Sequence, residues 1–273
     1  MVEKGKIMRI LFVGDVMGNT GQEVLEEYLP KLKHLYHPQV TIVNGENATR
    51  GRGINEKVYK RILSCGADVV TMGNHTWDNP EITDFIGSAK KLIRPANFSA
   101  GQVPGIGYTT IKINQQELAV LNLQGRIFMT PSDDPFAVAK DIITDLRKKT
   151  SLIFVDFHAE TTSEKAAFAW YFDGQVSAVV GTHTHIQTND ARILPQGTAF
   201  LTDVGMTGPY DGIIGMKRQN VIARFLNQMP TRFEVDESGR RNLSACLLEI
   251  DNEMGRAKKI KTILINPDHP FMQ

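Results

Sequence analysis

The stretch Ile10-Leu11-Phe12-Val13-Gly14-Asp15 is a short apolar run that ends in a glycine and a carboxylate. A continuous apolar run of this length is typical of a strand that is buried on both faces of a sheet. Helical and strand-like segments alternate after this run. The sequence predicts a helix at 20–35, a strand at 40–43, a helix at 55–63 and a strand at 68–72. This βαβαβ pattern predicts a largely parallel sheet with helices packed on it.

The pattern changes after residue 100 and becomes richer in strands. Alternating and apolar runs predict strands at 108–113, 118–122, 152–157, 178–180, 199–202, 232–235, 243–250 and 258–264. Helical spacing predicts helices at 134–149, 164–172 and 218–227. We therefore expect a second sheet against the first, which gives an α/β fold arranged as a four-layer α/β/β/α sandwich.

Length and charge limit the classes of protein to consider. A chain of 273 residues is near the size at which one core stops growing, so we expect a single domain over residues 1–273, with residues 1–7 as a short N-terminal extension. The formal net charge of +1 provides no overall field that would attract nucleic acid or an anionic membrane. Stable nucleic-acid binding is therefore not expected.

Cysteine usage and hydropathy indicate the compartment. Cys65 and Cys246 are far apart and form no CxxC motif, so a disulfide framework is not expected and a reducing compartment fits. No run approaches the roughly 20 apolar residues of a membrane helix. We expect a cytoplasmic protein with no membrane partner, and a homo-oligomer because such assemblies are common among soluble enzymes.

Polar side chains follow five of the predicted strands at the point where each strand ends. They are Asp15, Glu46 with Asn47, Asn74 with His75, His158, and His183 with His185. Side chains two apart on an extended backbone point the same way, so His183 and His185 are expected to project together. Because the carboxyl ends of parallel strands meet at one edge, these side chains offer nitrogen and oxygen donors for two metal ions.

Each of these residues also has an ordinary structural explanation. Asp15 or Glu46 alone is more often a helix cap or a solvated carboxylate, and His158 beside Phe157 could be a hydrogen-bonded core histidine. The coincidence of five strand ends favours metal ligation over these separate explanations. Three other histidines show no such pattern and are expected at the surface, namely His34, His37 and His269.

The same residues resemble the motifs of the calcineurin-like metallophosphoesterases. Those motifs are an opening GD, a GD or GE after the second strand, GNH, a lone later histidine and GHxH, and here they are Gly14-Asp15, Gly45-Glu46, Gly73-Asn74-His75, His158 and Gly181-Thr182-His183-Thr184-His185. Met17 and Thr182 stand where the superfamily usually has histidine, and Glu46 where it usually has aspartate. With Asn47 as a replacement donor, these departures resemble the YmdB-type family of bacterial 2′,3′-cyclic nucleotide phosphodiesterases.

The resemblance implies a ligand set for two divalent ions per subunit. One ion would take Asp15, Glu46, Asn47 and His185, and the other Glu46, Asn74, His158 and His183, with Glu46 as the bridge. Manganese or iron is the expected metal, and zinc or magnesium is the alternative, because mixed carboxylate, amide and imidazole donors accept all four.

The resemblance also implies a dinuclear phosphoric diester hydrolase that acts on small molecules such as 2′,3′-cAMP and on other phosphodiesters. Hydroxide held between the two metals would attack phosphorus, and His75 would be the general acid for the departing alkoxide. Arg50 and Arg52 either form a solvated loop or reach a phosphate or ribose, and Asp78 is either the partner of His75 or part of a turn. The alternative functions are a phosphomonoesterase or phosphoprotein phosphatase, and an RNA-associated metal-dependent regulator.

Overall fold

The computed structural model describes residues 7–98 and 103–271. Two sheets stack face to face, and helices cover the outer face of each. This arrangement confirms the predicted four-layer α/β/β/α sandwich. The predicted extension at residues 1–7 lies outside the described residues except for Ile7, which already pairs with Asp251 as the first residue of a strand.

The first sheet has eight strands, of which β14 pairs only with β13 and the others follow the order β2-β12-β13-β1-β3-β4-β5. Its strands are β1 (Ile7–Val13), β2 (Asp15–Val16), β3 (Val40–Asn44), β4 (Val69–Thr71), β5 (Leu92–Ile93), β12 (Met206–Pro209), β13 (Arg241–Asp251) and β14 (Ala257–Ile265). Strands β1, β3 and β4 are parallel neighbours, so their carboxyl ends lie at one edge.

The second sheet has six strands in the order β10-β11-β9-β8-β7-β6. Its strands are β6 (Tyr108–Ile113), β7 (Gln116–Gln124), β8 (Leu152–His158), β9 (Ala178–Thr182), β10 (Arg192–Ile193) and β11 (Ala199–Leu201). Strands β7, β8, β9 and β11 are parallel. The helices are α1 (Gly18–Tyr36), α2 (Glu56–Ser64), α3 (Ile82–Phe85), α4 (Pro135–Leu146), α5 (Thr162–Tyr171) and α6 (Arg218–Asn227).

Strand alternation explains how the layers pack. Ile10 and Phe12 of β1 point into the core between the two sheets, whereas Leu11 and Val13 point into the core beneath the helices of the first sheet. The ring of Phe12 meets Phe154 of β8 edge to face at 5.0 Å between centroids. Such contacts stabilise the sheet interface beyond the burial of apolar area.

Two sequence predictions differ from the structure, and the short strands β2, β5, β10 and β12 were not predicted. The predicted strand at 232–235 is wrong, because within it only Val235 forms an isolated bridge, to Met216. The predicted helix at 134–149 ends early, as α4 stops at Leu146. The short parallel pair β2 and β12 was not predicted, since two to four residues carry too little periodicity.

The structure also describes the state of the two cysteines and the character of the helices. Cys65 and Cys246 are both free thiols, as expected from their spacing. Across residues 7–98 and 103–271, no helix combines the length and the apolar character that a membrane crossing requires.

Candidate metal centre

Six of the seven predicted ligands converge where the carboxyl ends of β1, β3, β4, β8 and β9 meet, namely Asp15, Glu46, Asn74, His158, His183 and His185. Ligand atoms of Glu46, His158 and His183 all lie within 4.8 Å of one another. The same is true of Asp15, Glu46 and His185. Glu46 therefore belongs to both groups.

His158 Nε2 lies at the centre of the first group. It is 3.1 Å from Glu46 Oε1, 2.9 Å from Asn74 Oδ1 and 3.1 Å from His183 Nδ1. Side chains from four separate segments thus direct an oxygen or nitrogen atom at one small volume. Such convergence of lone-pair atoms is typical of a site for a cation.

The second group contains a buried acceptor atom without a hydrogen bond. Asp15 Oδ1 is buried and has no hydrogen-bond donor, with His158 Nδ1 at 3.8 Å. Asn47 Oδ1, in the residue after Glu46, is also buried without a hydrogen bond, while Asn47 Nδ2 donates to the carbonyl of Gly51 at 3.0 Å and so fixes the amide. A buried acceptor without a hydrogen bond costs about 1–3 kcal/mol. A cation held by Asp15, Glu46 and His185 would satisfy Asp15 Oδ1, so the residues present fit a metal ion.

Close packing around the centre requires glycine at residue 73. A Cβ there would clash with Glu46 Oε2 and His158 Nε2. The backbone after β4 can therefore approach the carboxylate and imidazole only because Gly73 has no side chain.

The backbone at the two histidines corrects one prediction. His183 and His185 lie after the end of β9, with φ of 99° and 67°, so they do not project from an extended strand. Positive φ is rare for residues with bulky side chains and is found at functional sites. The predicted common direction on an extended backbone is therefore wrong, although the structure still brings both imidazoles to the centre through a turn.

A buried ion pair holds that turn. Asp203 accepts hydrogen bonds from the backbone N–H of Thr184 at 3.0 Å and from its hydroxyl at 2.7 Å. Lys165 of α5 lies 2.7 Å from the same carboxylate, and neither charged side chain is exposed. Because Thr184 stands between the two histidines, this pair maintains the left-handed backbone on both sides of it.

Charges in the centre favour a cation. Burial alone would lower the pKa of His158, but the carboxylates of Glu46, Asp15 and Asp156 raise it to about 9. Burial raises the pKa of Asp15 well above its usual range. Burial and the neighbouring His158 lower the pKa of His183 to about 3, so this imidazole is neutral and available as a ligand.

His158 is oriented by residues that the sequence did not reveal. Its Nδ1 donates to Thr182 Oγ1 at 2.8 Å, and the Thr182 hydroxyl donates to Asp156 Oδ1 at 2.7 Å. Asn44 and Thr71 of the first sheet donate to the other oxygen of Asp156. The visible signals were an aspartate in the apolar run of β8 and a threonine where the superfamily usually has histidine.

His75 lies at the border of the centre with its side chain 25% exposed. Its backbone N–H donates to Glu46 Oε2 at 3.2 Å, and its Nδ1 is 2.8 Å from Asp78 Oδ2. Arg52 Nη1 is 4.0 Å from the same oxygen. Asp78 is therefore the partner of His75, an assignment that the sequence left open.

Comparison with known proteins agrees with the ligand pattern. A family model described as YmdB-like protein matches residues 11–263. The chain belongs to the YmdB-like family. This result confirms the resemblance to the metallophosphoesterases that the strand-end motifs indicated.

Individual relatives match over nearly the whole chain. A Bacillus subtilis protein named 2′,3′-cyclic-nucleotide 2′-phosphodiesterase is 57% identical over 266 residues, which are 97% of this chain and 100% of the relative. A Thermus thermophilus hypothetical protein of known structure is 40% identical with a TM-score of 0.88, covering 95% of this chain and 99% of the other. A Mycoplasma pneumoniae structure described as a novel phosphatase is 35% identical, with a TM-score of 0.90 and 96% coverage of each chain.

Proposed function

We propose that this chain is a metal-dependent phosphodiesterase that hydrolyses 2′,3′-cyclic nucleotides and other phosphodiesters. The observation that carries the proposal is the position of Glu46 in both groups of ligand atoms, one with His158 and His183 and one with Asp15 and His185. A shared carboxylate is the arrangement that two adjacent ions need. The name of the Bacillus subtilis relative supports the choice of substrate.

The ligand assignment follows from the two groups. Asp15, Glu46, Asn47 and His185 would hold one ion, and Glu46, Asn74, His158 and His183 the other. Manganese or iron suits these donors best, with zinc or magnesium as alternatives. When bound, a pair of divalent ions lowers the pKa of a shared water and stabilises charge on the phosphate.

The chain itself supplies the proton for the leaving group. His75 lies beside the ligand Asn74, is partly exposed and is paired with Asp78. An imidazole whose Nδ1 donates to a carboxylate has Nε2 as its second proton site. In the proposed reaction His75 gives a proton to the departing ribose oxygen, and Asp78 stabilises the charged imidazole.

A substrate panel tests this proposal. Protein loaded with Mn²⁺ should hydrolyse 2′,3′-cAMP and bis-p-nitrophenyl phosphate faster than p-nitrophenyl phosphate, and His183→Ala should abolish turnover. His34→Ala, on the exposed surface of α1, is the matched control and should leave turnover unchanged. Activity on the monoester alone would contradict the proposal.

The same panel decides the second candidate function, a phosphomonoesterase or phosphoprotein phosphatase. This candidate is favoured by the description of the Mycoplasma pneumoniae structure as a phosphatase. The third candidate, an RNA-associated metal-dependent regulator, predicts RNA or partner binding that survives when hydrolysis is lost in His183→Ala. Parallel binding and turnover measurements separate it from the first two.

We also infer a cytoplasmic location and a homo-oligomeric state. The two free thiols, of which Cys246 is buried, are consistent with a reducing compartment. Light scattering during gel filtration measures the number of subunits, and a monomer at micromolar concentration would contradict the second inference.

A further inference from the structure

Arginine side chains gather in a cleft beside the metal centre. A cavity of about 600 Å³ is lined by Arg50, Arg52, Met216, Arg224, Thr231, Arg232 and Phe233. No residue in this lining is acidic. We refer to this cavity, together with Phe225 on the adjoining turn of α6, as the arginine cleft.

The arginine cleft shares lining residues with two further cavities. Arg224 and Phe233 also line a largely apolar cavity of about 590 Å³, to which Phe225 and Ile214 contribute. Arg50 and Arg52 also line a cavity of about 390 Å³ whose lining includes the acidic residues Asp78 and Glu81. The arginine cleft therefore adjoins one largely apolar cavity and one mixed polar cavity.

Lining residues of the two neighbouring cavities contact the metal centre. In the apolar cavity, the carbonyl oxygen of Ile214 is 3.0 Å from His185 Nδ1. In the polar cavity, Asp78 is the partner of His75. In the arginine cleft itself, Arg50 follows Asn47 by three residues, so their Cα atoms are at most about 11 Å apart.

The charge of the arginine cleft is only partly balanced within the described part of the chain. There, Arg52 Nη1 is 4.0 Å from Asp78 Oδ2, whereas Arg50, Arg224 and Arg232 form no ion pair with a carboxylate. Lys217 and, more weakly, Arg232 lower the pKa of the Glu234 carboxyl. Clustered guanidinium groups repel one another, and a polyanion relieves that repulsion. Guanidinium matches the geometry of phosphate oxygens through paired N–H donors.

Aromatic side chains accompany the arginines. Phe225 is 79% exposed, and Phe233 lines both the arginine cleft and the apolar cavity. Proteins that bind single-stranded nucleic acid combine a basic groove for the backbone with aromatic side chains on which bases stack. The net charge of +1 argues against an extended RNA surface, whereas this cleft is local and suits a few nucleotides.

We propose that the arginine cleft binds the upstream nucleotides of a short oligoribonucleotide whose 2′,3′-cyclic phosphate end lies at the metal centre. This inference rests on the proposed function. A 2′,3′-cyclic phosphate closes the 3′ side of the ribose, so any extension of the substrate leaves through the 5′ oxygen. In the reaction, water adds to phosphorus, the bond from phosphorus to O2′ breaks, and the chain keeps a 3′-phosphate while O2′ receives a proton.

Two cyclic substrates test the inference. In the wild-type protein with Mn²⁺, kcat/KM for triadenylate ending in a 2′,3′-cyclic phosphate should exceed that for 2′,3′-cAMP by about tenfold. The double variant Arg224→Ala with Arg232→Ala should reduce this ratio to near one. Arg218→Ala is the matched control, because this exposed residue lies on the same helix and outside the cleft lining, and it should keep the ratio.

Binding provides a second readout that does not depend on turnover. Fluorescein-labelled triadenylate with a 3′-phosphate should bind the double variant about tenfold more weakly than the wild type. The slope of log Kd against log salt concentration should fall by about one for each arginine removed. The inference is overturned if the wild type shows a ratio of the two kcat/KM values near one. It is also overturned if the double variant keeps both the wild-type ratio and the wild-type affinity. Failure of the wild type to hydrolyse either substrate would instead contradict the proposed function. The binding measurement would still show whether the arginine cleft binds the oligonucleotide.

Discussion

The hydroxyl of Thr182 donates a 2.7 Å hydrogen bond to the buried carboxylate of Asp156. Because that proton is committed to Asp156, the lone pairs of Thr182 accept the proton of His158 Nδ1, which is 2.8 Å away. This chain of donors leaves His158 Nε2 facing Glu46, Asn74 and His183 and fixes the plane of the ring. Asp156 is thus a positioning residue for the proposed metal centre, and it also links the two sheets.

The first prediction follows from this relationship. Thr182→Val keeps the shape of the side chain but removes the hydroxyl, so affinity for the ion held by His158 should fall about 10–100-fold. Calorimetric titration with Mn²⁺ measures the affinity of each site. Thr182→Ser, which keeps the hydroxyl, should restore affinity, and a Thr182→Val protein with wild-type affinity at both sites would contradict the prediction.

The second prediction concerns the two histidines of the turn. His183 belongs with Glu46 and His158, whereas His185 belongs with Asp15 and Glu46. Replacing either histidine with alanine should reduce the metal content from about two ions per chain to about one, because each ion loses one ligand. Elemental analysis after dialysis measures the content, and retention of two ions in either variant would show that the assignment is wrong.

The third prediction concerns the buried pair of Lys165 and Asp203. Asp203→Ala leaves a buried ammonium group without its partner, which costs about 3–5 kcal/mol in the free energy of unfolding. Urea unfolding measures the loss. Glu234→Ala is the control, since Glu234 pairs with Lys217 at 2.7 Å on the surface and its removal should change stability little. Equal stability of the two variants would contradict the structural role given to Asp203.

The fourth prediction concerns Gly73. Gly73→Ala places a methyl group against Glu46 and His158, so both metal content and turnover should fall. Gly87→Ala is the matched control, because a Cβ there would meet no atom within 4 Å. A Gly73→Ala protein with normal metal content would show that the backbone can shift away from the carboxylate.

The layers of the fold and the place of the site were predictable because both depend on simple patterns. Buried parallel strands read as continuous apolar runs, and the topology of the first sheet alone puts Asp15 and Glu46 at one edge. The expectation that all five strand ends share one sheet edge is wrong, because His158 ends a strand of the second sheet and meets them only through the stacking of the two sheets. The two-residue strands carry no periodicity. The strand expected at 232–235 fails because tertiary context gives only Val235 a bridging partner.

Local details of the site depend on contacts that no sequence pattern encodes. The left-handed backbone at His183 and His185 is maintained by Asp203, which lies on a different segment, and no glycine marks it. The bond between Thr182 and Asp156 joins neighbouring strands β9 and β8, so it is apparent only once their register is known. Such features need the tertiary structure.

The last prediction tests His75 as the general acid. His75→Ala should lower kcat for 2′,3′-cAMP by about 10²–10⁴-fold while both ions remain bound, because the ribose alkoxide is a poor leaving group without a proton. Bis-p-nitrophenyl phosphate releases a nitrophenolate that leaves without protonation, so its kcat should fall much less. Asp78→Asn should also lower kcat for 2′,3′-cAMP more than kcat for bis-p-nitrophenyl phosphate. The decrease should be smaller than in His75→Ala, since the carboxylate only orients and stabilises the imidazole. Equal losses on both substrates would mean that His75 maintains the metal centre through Glu46 instead of donating a proton.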